Sequence, residues 1–109
     1  MKGKIVLVPF PFTDLTAAKL RPALVIYEGG EDIVVAFISS RVPAVASETG
    51  VLLGEQDAGF GKTGLKVDSL IRLDKVATVL KDLVVGELGE LGQQAREEVN
   101  RKLLGMLRM

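Results

Sequence analysis

Two apolar runs separated by a pair of glycines limit what this chain can become more than any other feature. Ala23-Leu24-Val25-Ile26-Tyr27 and Asp32-Ile33-Val34-Val35-Ala36-Phe37-Ile38 flank Glu28-Gly29-Gly30-Glu31. β-Branched and aromatic side chains favour strands, and paired glycines suit a tight hairpin turn. Neither run alternates with polar residues. Both strands are therefore expected to be buried on both sides, at the centre of a small barrel or a dimer. Arg21-Pro22 opens the first run, because the residue before proline is held extended and proline is tolerated at a strand start.

A second strand signal spans Leu65–Val79. Side chains alternate between faces along a strand, so Leu65, Val67, Ile71 and Leu73 fall on one face. Lys66, Asp68, Arg72 and Asp74 fall on the other. Arg72 and Asp74 at i and i+2 stand roughly 7 Å apart by strand rise, a spacing suited to holding a phosphate between them. The bland alternative is a surface salt bridge, worth little energetically.

The rest of the chain is punctuated around these elements. Ile5-Val6-Leu7-Val8 forms a first strand, stopped by Pro9 and Pro11, which cannot donate to a sheet ladder. A loop from Pro9 to Leu20 follows. Its Phe10 and Phe12, with Thr13 and Lys19 nearby, can stack on unpaired bases or plug the end of a barrel. Ser39-Ser40-Arg41 closes the strand after the hairpin. Two hydroxyls and a guanidinium there suit a phosphate, or form a polar exit in which serine bonds nearby backbone. Val51-Leu52-Leu53 suggests a short strand. Gly59-Phe60-Gly61-Lys62-Thr63-Gly64 superficially resembles a phosphate loop, but position 56 is Gln56 and a strand follows in place of a helix, which excludes nucleotide hydrolysis of that type. Lys62 or Lys66 can still meet backbone phosphates. Lys81-Asp82 is a turn. A helix runs from about Glu90 or Gln93 to Leu107, with Leu91, Ala95, Val99, Leu103 and Met106 as its apolar stripe.

Composition removes several chemistries. The 109 residues suit one domain, and 48% hydrophobic with 26% charged is a globular balance. The chain has no cysteine and no histidine, which excludes disulfides, thiolate metal sites, zinc chemistry and Ser-His catalysis. Acid–base work must fall to Asp, Glu, Lys, Arg, Tyr or a hydroxyl. Fourteen basic residues against fourteen acidic give zero net charge, unlike a protein that coats duplex DNA. The apolar N-terminal run is short and broken by prolines, unlike a signal peptide, and no run reaches membrane-spanning length. A soluble cytoplasmic protein is expected. Five to seven short strands and one C-terminal helix suggest a mainly β, SH3-like small barrel.

Four ordered segments resemble the PemK/MazF family of toxin endoribonucleases: Val6–Leu15, Leu20–Val25, Val35–Ser40 and Gly64–Val76. With the terminal helix, the resemblance covers nearly the whole chain. It implies an SH3-like barrel, a homodimer, and metal-free, sequence-selective cleavage of single-stranded RNA without cofactor. It also implies a cognate antitoxin protein that covers the RNA groove. By the same resemblance, Arg21 matches the catalytic arginine before proline of the MazF branch, and Ser39 stands where that branch usually has a catalytic threonine. Arg72 and Asp74 match the Arg-x-Asp used by the Kid/PemK branch. Phe12, Thr13, Lys19, Ser40, Arg41 and Lys66 are the expected RNA-binding residues. The supporting histidine of the Kid/PemK branch is absent.

Metal-free RNA cleavage needs a base near the 2′-oxygen, charge stabilisation on the phosphorane and a proton for the leaving oxygen. Asp74 is the candidate base. Arg21 and Arg72 are candidate phosphate clamps, since guanidinium matches phosphate geometry and holds its proton firmly. Ser39 would hold a phosphate oxygen or the 2′-hydroxyl. Two rivals share the fold: a CcdB-like gyrase-binding toxin, and a catalytically inactive SH3-like binding module.

Overall fold

In the computed structural model, which describes residues 1–10 and 19–109, six antiparallel strands curl into one sheet closed on one side by a helix. The strands are β1 (Lys4–Phe10), β2 (Lys19–Glu28), β3 (Asp32–Ser39), β4 (Gly50–Leu53), β5 (Ser69–Leu80) and β6 (Gly86–Glu90), and the helix is α1 (Gln93–Leu107). Sheet order is β4-β5-β3-β2-β1-β6, so the hairpin β2/β3 occupies the centre. This is the mainly β fold with a terminal helix that the sequence suggests. Among the described residues, no helix is long and apolar enough to cross a membrane.

The central strands are buried on both faces, as their unbroken apolar runs require. Ile5, Leu24, Ala36, Ile38, Ile71 and Leu73 form one core with Val99 of α1. Ala95, Leu103 and Met106 of the helical stripe pack against it. Val6, Val8, Ala23, Val25, Ile33, Val35 and Val79 form a second core on the opposite face. The Glu28–Glu31 turn closes tightly, with the Gly29 N–H donating to the Asp32 carbonyl at 2.8 Å.

Three departures from the sequence reading have physical causes. First, β1 runs through Pro9 to Phe10, pairing Pro9 with Leu20. Its other neighbour, β6, ends opposite Leu7, so Pro9 lies on an unpaired edge where a missing N–H costs nothing. Second, β5 starts at Ser69, not Leu65. Asp68 instead accepts the Glu55 N–H at 2.7 Å, and Lys66 lies in the connection before the strand. Third, Gly86–Glu90 forms β6 although its glycines discourage a strand. The edge of β1 supplies the ladder, and Lys4 Nζ lies 3.4 Å from Glu87 and 3.9 Å from Glu90 across it.

The glycine-rich segment serves packing. Phe60–Thr63 is a 3-10 turn whose buried Thr63 donates to the Phe60 carbonyl at 2.6 Å. Gly64 follows at φ +75°, against the Leu88 carbonyl.

Candidate active site

Directly opposed residues in an antiparallel sheet share a face. One such row reads Val6, Ala23, Phe37, Arg72, Gly50 across β1, β2, β3, β5 and β4. Two residues along, on the same face, Val8 opposes Arg21 and Ser39 opposes Leu70. Carrying the β2/β3 register two residues past the Ala23–Phe37 pair sets Arg21 level with Ser39. Arg21, Ser39 and Arg72 therefore occupy one face of three adjacent strands. β2 and β5 stand about 10 Å apart across β3, from the spacing of neighbouring strands. Two arginine side chains can bridge that distance toward a common anion above Ser39.

An irregularity in β5 brings Arg72 to this face. Ala36 opposes Val76 but Phe37 opposes Arg72, so Leu73, Asp74 and Lys75 are extra residues on the β5 side. Such a bulge changes which way later side chains point. Ile71 and Leu73 enter the core beneath α1, while Val79 enters the other core. Arg72 and Asp74 emerge at the bulge half-exposed, with side chains 34% and 37% accessible.

Arg72 and Asp74 do not stand apart to receive a phosphate between them, as the sequence spacing suggests. They bind each other: Arg72 Nε donates to Asp74 Oδ1 at 2.9 Å and Nη2 to Oδ2 at 2.8 Å. A guanidinium reaches a carboxylate two residues along a strand, so the pair closes wherever nothing intervenes. Hydrogen bonds from Arg72 hold the Asp74 carboxyl below its ordinary range, with burial opposing. The same bonds raise the Arg72 guanidinium further. The pair leaves the other guanidinium donors and two carboxylate lone pairs available.

Ser39 is half-buried at the end of β3 and accepts the Arg41 N–H at 3.1 Å. This is the local backbone bond expected of a polar strand exit. Accepting it leaves the hydroxyl hydrogen as a donor. Ser40 and Arg41 follow, both exposed. Lys19 opposes Phe10 at the same end of the sheet. Lys66 is exposed, three residues before β5. Phe12 and Thr13 lie outside the described residues.

Phe10 packs on Phe37, with ring centroids 4.6 Å apart and planes at 48°. This contact favours the plug reading of Phe10. Phe37 itself is the neighbour of Arg72 across the ladder, a placement the sequence did not disclose. Its one visible signal was an aromatic ring near the end of a run of small and branched residues.

The family model described as PemK-like, MazF-like toxin of type II toxin-antitoxin system matches residues 1–107. Among solved structures, an endoribonuclease in complex with its cognate antitoxin from Mycobacterial species superposes with a TM-score of 0.74 at 17% identity, covering 100% of this chain and 97% of its own. The Mycobacterium tuberculosis toxin MazF-mt6 gives 0.72 at 17% identity, covering 94% and 93%. An endoribonuclease from Mycobacterial species gives 0.70 at 20% identity, covering 98% and 89%. No curated protein sequence matches the chain.

Proposed function

Because this chain belongs to the PemK-like, MazF-like toxins of type II toxin–antitoxin systems, we propose that it is an endoribonuclease that cleaves single-stranded RNA without a metal. The observation that carries this reading is the meeting of Arg21, Ser39 and Arg72 on one sheet face, with Asp74 fixing Arg72. The 2′-hydroxyl attacks the adjacent phosphorus, the P–O5′ bond breaks, and water protonates the leaving oxygen, giving a 2′,3′-cyclic phosphate and a 5′-hydroxyl. Arg21 and Arg72 stabilise the charge that develops on the phosphorane oxygens. The Ser39 hydroxyl donates to one of those oxygens. Asp74 aligns the Arg72 guanidinium, and its unused lone pairs accept the 2′-hydroxyl hydrogen. Its lowered basicity makes alignment the larger of the two roles.

Lys19, Ser40, Arg41 and Lys66 support backbone contacts along the bound strand. The toxin acts as a homodimer in the cytoplasm, where messenger RNA is found. A cognate antitoxin neutralises it, in keeping with the neighbour solved with its own antitoxin.

Incubating the purified protein with a long mixed-sequence RNA in EDTA tests this reading. Discrete cleavage with cyclic-phosphate and 5′-hydroxyl ends is expected. Intact RNA with tight gyrase binding would move the protein to the gyrase-poison class.

A further inference from the structure

Lys102 is the one charged residue that is buried among the described residues, at 7% exposure. It sits on the inner face of α1, one turn beyond Val99. Its ammonium donates to the Gly50 carbonyl at 2.6 Å and to the Ser47 carbonyl at 2.9 Å, and it pairs with Glu98 at 3.2 Å. Two of its three donors are taken by carbonyls and its charge is met by a carboxylate. An apolar side chain of similar length would fill the same space without burying a charge.

The partners of Lys102 lead to the site. Gly50 opposes Arg72 in the ladder. Its N–H donates to the Ser47 carbonyl at 3.3 Å and its carbonyl accepts from Lys102. The preceding residue bonds β5: the Thr49 carbonyl accepts the Leu73 N–H at 2.9 Å. Leu73 is the residue between Arg72 and Asp74. The irregular segment of β5 thus rests on a turn that Lys102 pins from behind.

We propose that Lys102 is a positioning residue for the site: by fixing the Ser47–Gly50 turn, it holds the Arg72-Leu73-Asp74 segment so that the Arg72 guanidinium is presented to the scissile phosphate. The inference rests on the ribonuclease reading for its catalytic consequence, but the mechanical coupling stands on the hydrogen bonds alone.

Lys102→Met in the full chain tests it with two measurements. Amide hydrogen exchange at Leu73 should speed up by roughly 10- to 100-fold, with Val35 and Ala36 in the central strand unchanged. On a defined RNA, kcat should fall by about 10-fold or more with KM within about twofold, as loss of alignment predicts. Lys102→Arg, which restores a buried cation with several donors, should recover most of both. If the methionine variant does not fold, Lys102→Gln keeps one carbonyl bond and should give the same changes at smaller amplitude. Unchanged exchange at Leu73 would overturn the proposal. So would a parallel acceleration at every amide, which would mark a purely global role. If the wild-type protein leaves RNA intact, the ribonuclease reading fails, while the exchange data still decide the coupling.

Discussion

The Arg72 guanidinium and the Asp74 carboxylate meet fork to fork, through bonds of 2.9 and 2.8 Å. Such a pair fixes the plane of the guanidinium, not only its charge. Lysine keeps the charge but cannot reproduce the fork. Arg72→Lys should therefore lower kcat by roughly 100-fold, the scale of losing one oriented donor to a developing oxyanion. Its thermal midpoint should stay near wild type, because an exposed pair contributes little to stability. Single-turnover cleavage of a defined RNA, together with a melting curve, checks both.

The same pair sets an expectation for pH. The folded-state Asp74 carboxyl lies below its ordinary value of 3.8. A carboxyl lowered on folding contributes stability above its unfolded value and loses it as pH falls through the folded one. The pair should thus open only in acid below that ordinary value. Between roughly pH 5 and 8, the kcat/KM profile should carry no limb assignable to Asp74. NMR titration should show the Asp74 midpoint rising in Arg72→Ala. A neutral-pH limb that disappears in Asp74→Asn would return Asp74 to the role of principal base.

Arg21 and Ser39 stand on separate strands, β2 and β3. Arg21 is exposed at its level of β2, so Arg21→Ala should leave the fold intact while cleavage and growth arrest are lost. A folded, fully active variant would remove Arg21 from the site. Ser39→Ala should cost about 10- to 100-fold in cleavage rate. Ser39→Thr, which retains the hydroxyl, should stay close to wild type.

Gly64 gives a prediction about stability. It adopts φ +75°, and a Cβ there would strike the Leu88 carbonyl. Gly64→Ala should lose about 1–3 kcal/mol, measured by denaturant unfolding. Gly61→Ala, where a Cβ meets nothing within 4 Å, should change far less.

The central hairpin and the helix were legible because their apolar patterns are long and their punctuation is clear. β6 was not, because Gly86-Glu87-Leu88-Gly89-Glu90 lacks β-branched and aromatic residues and owes its form to the open edge of β1. The bulge in β5 was hidden for a subtler reason. Ile71, Leu73, Ala77 and Val79 keep one alternation in sequence, yet the extra residues at Leu73–Lys75 send them into two different cores. The residue types of the candidate site are visible in the sequence, and the resemblance points to them. That Arg72 and Asp74 close on each other, and that Phe37 stands beside Arg72, depended on cross-strand pairing that spacing cannot reveal.

The bulge has a bearing on folding fidelity as well as on chemistry. If β5 slipped by one residue against β3, Arg72 would turn toward the space filled by Ile71, which is wholly enclosed beneath α1. Asp74 would be carried inward with it, and burying the ion pair there would cost the desolvation of both charges. The arginine proposed to serve the phosphate would thereby also disfavour misalignment of its own strand.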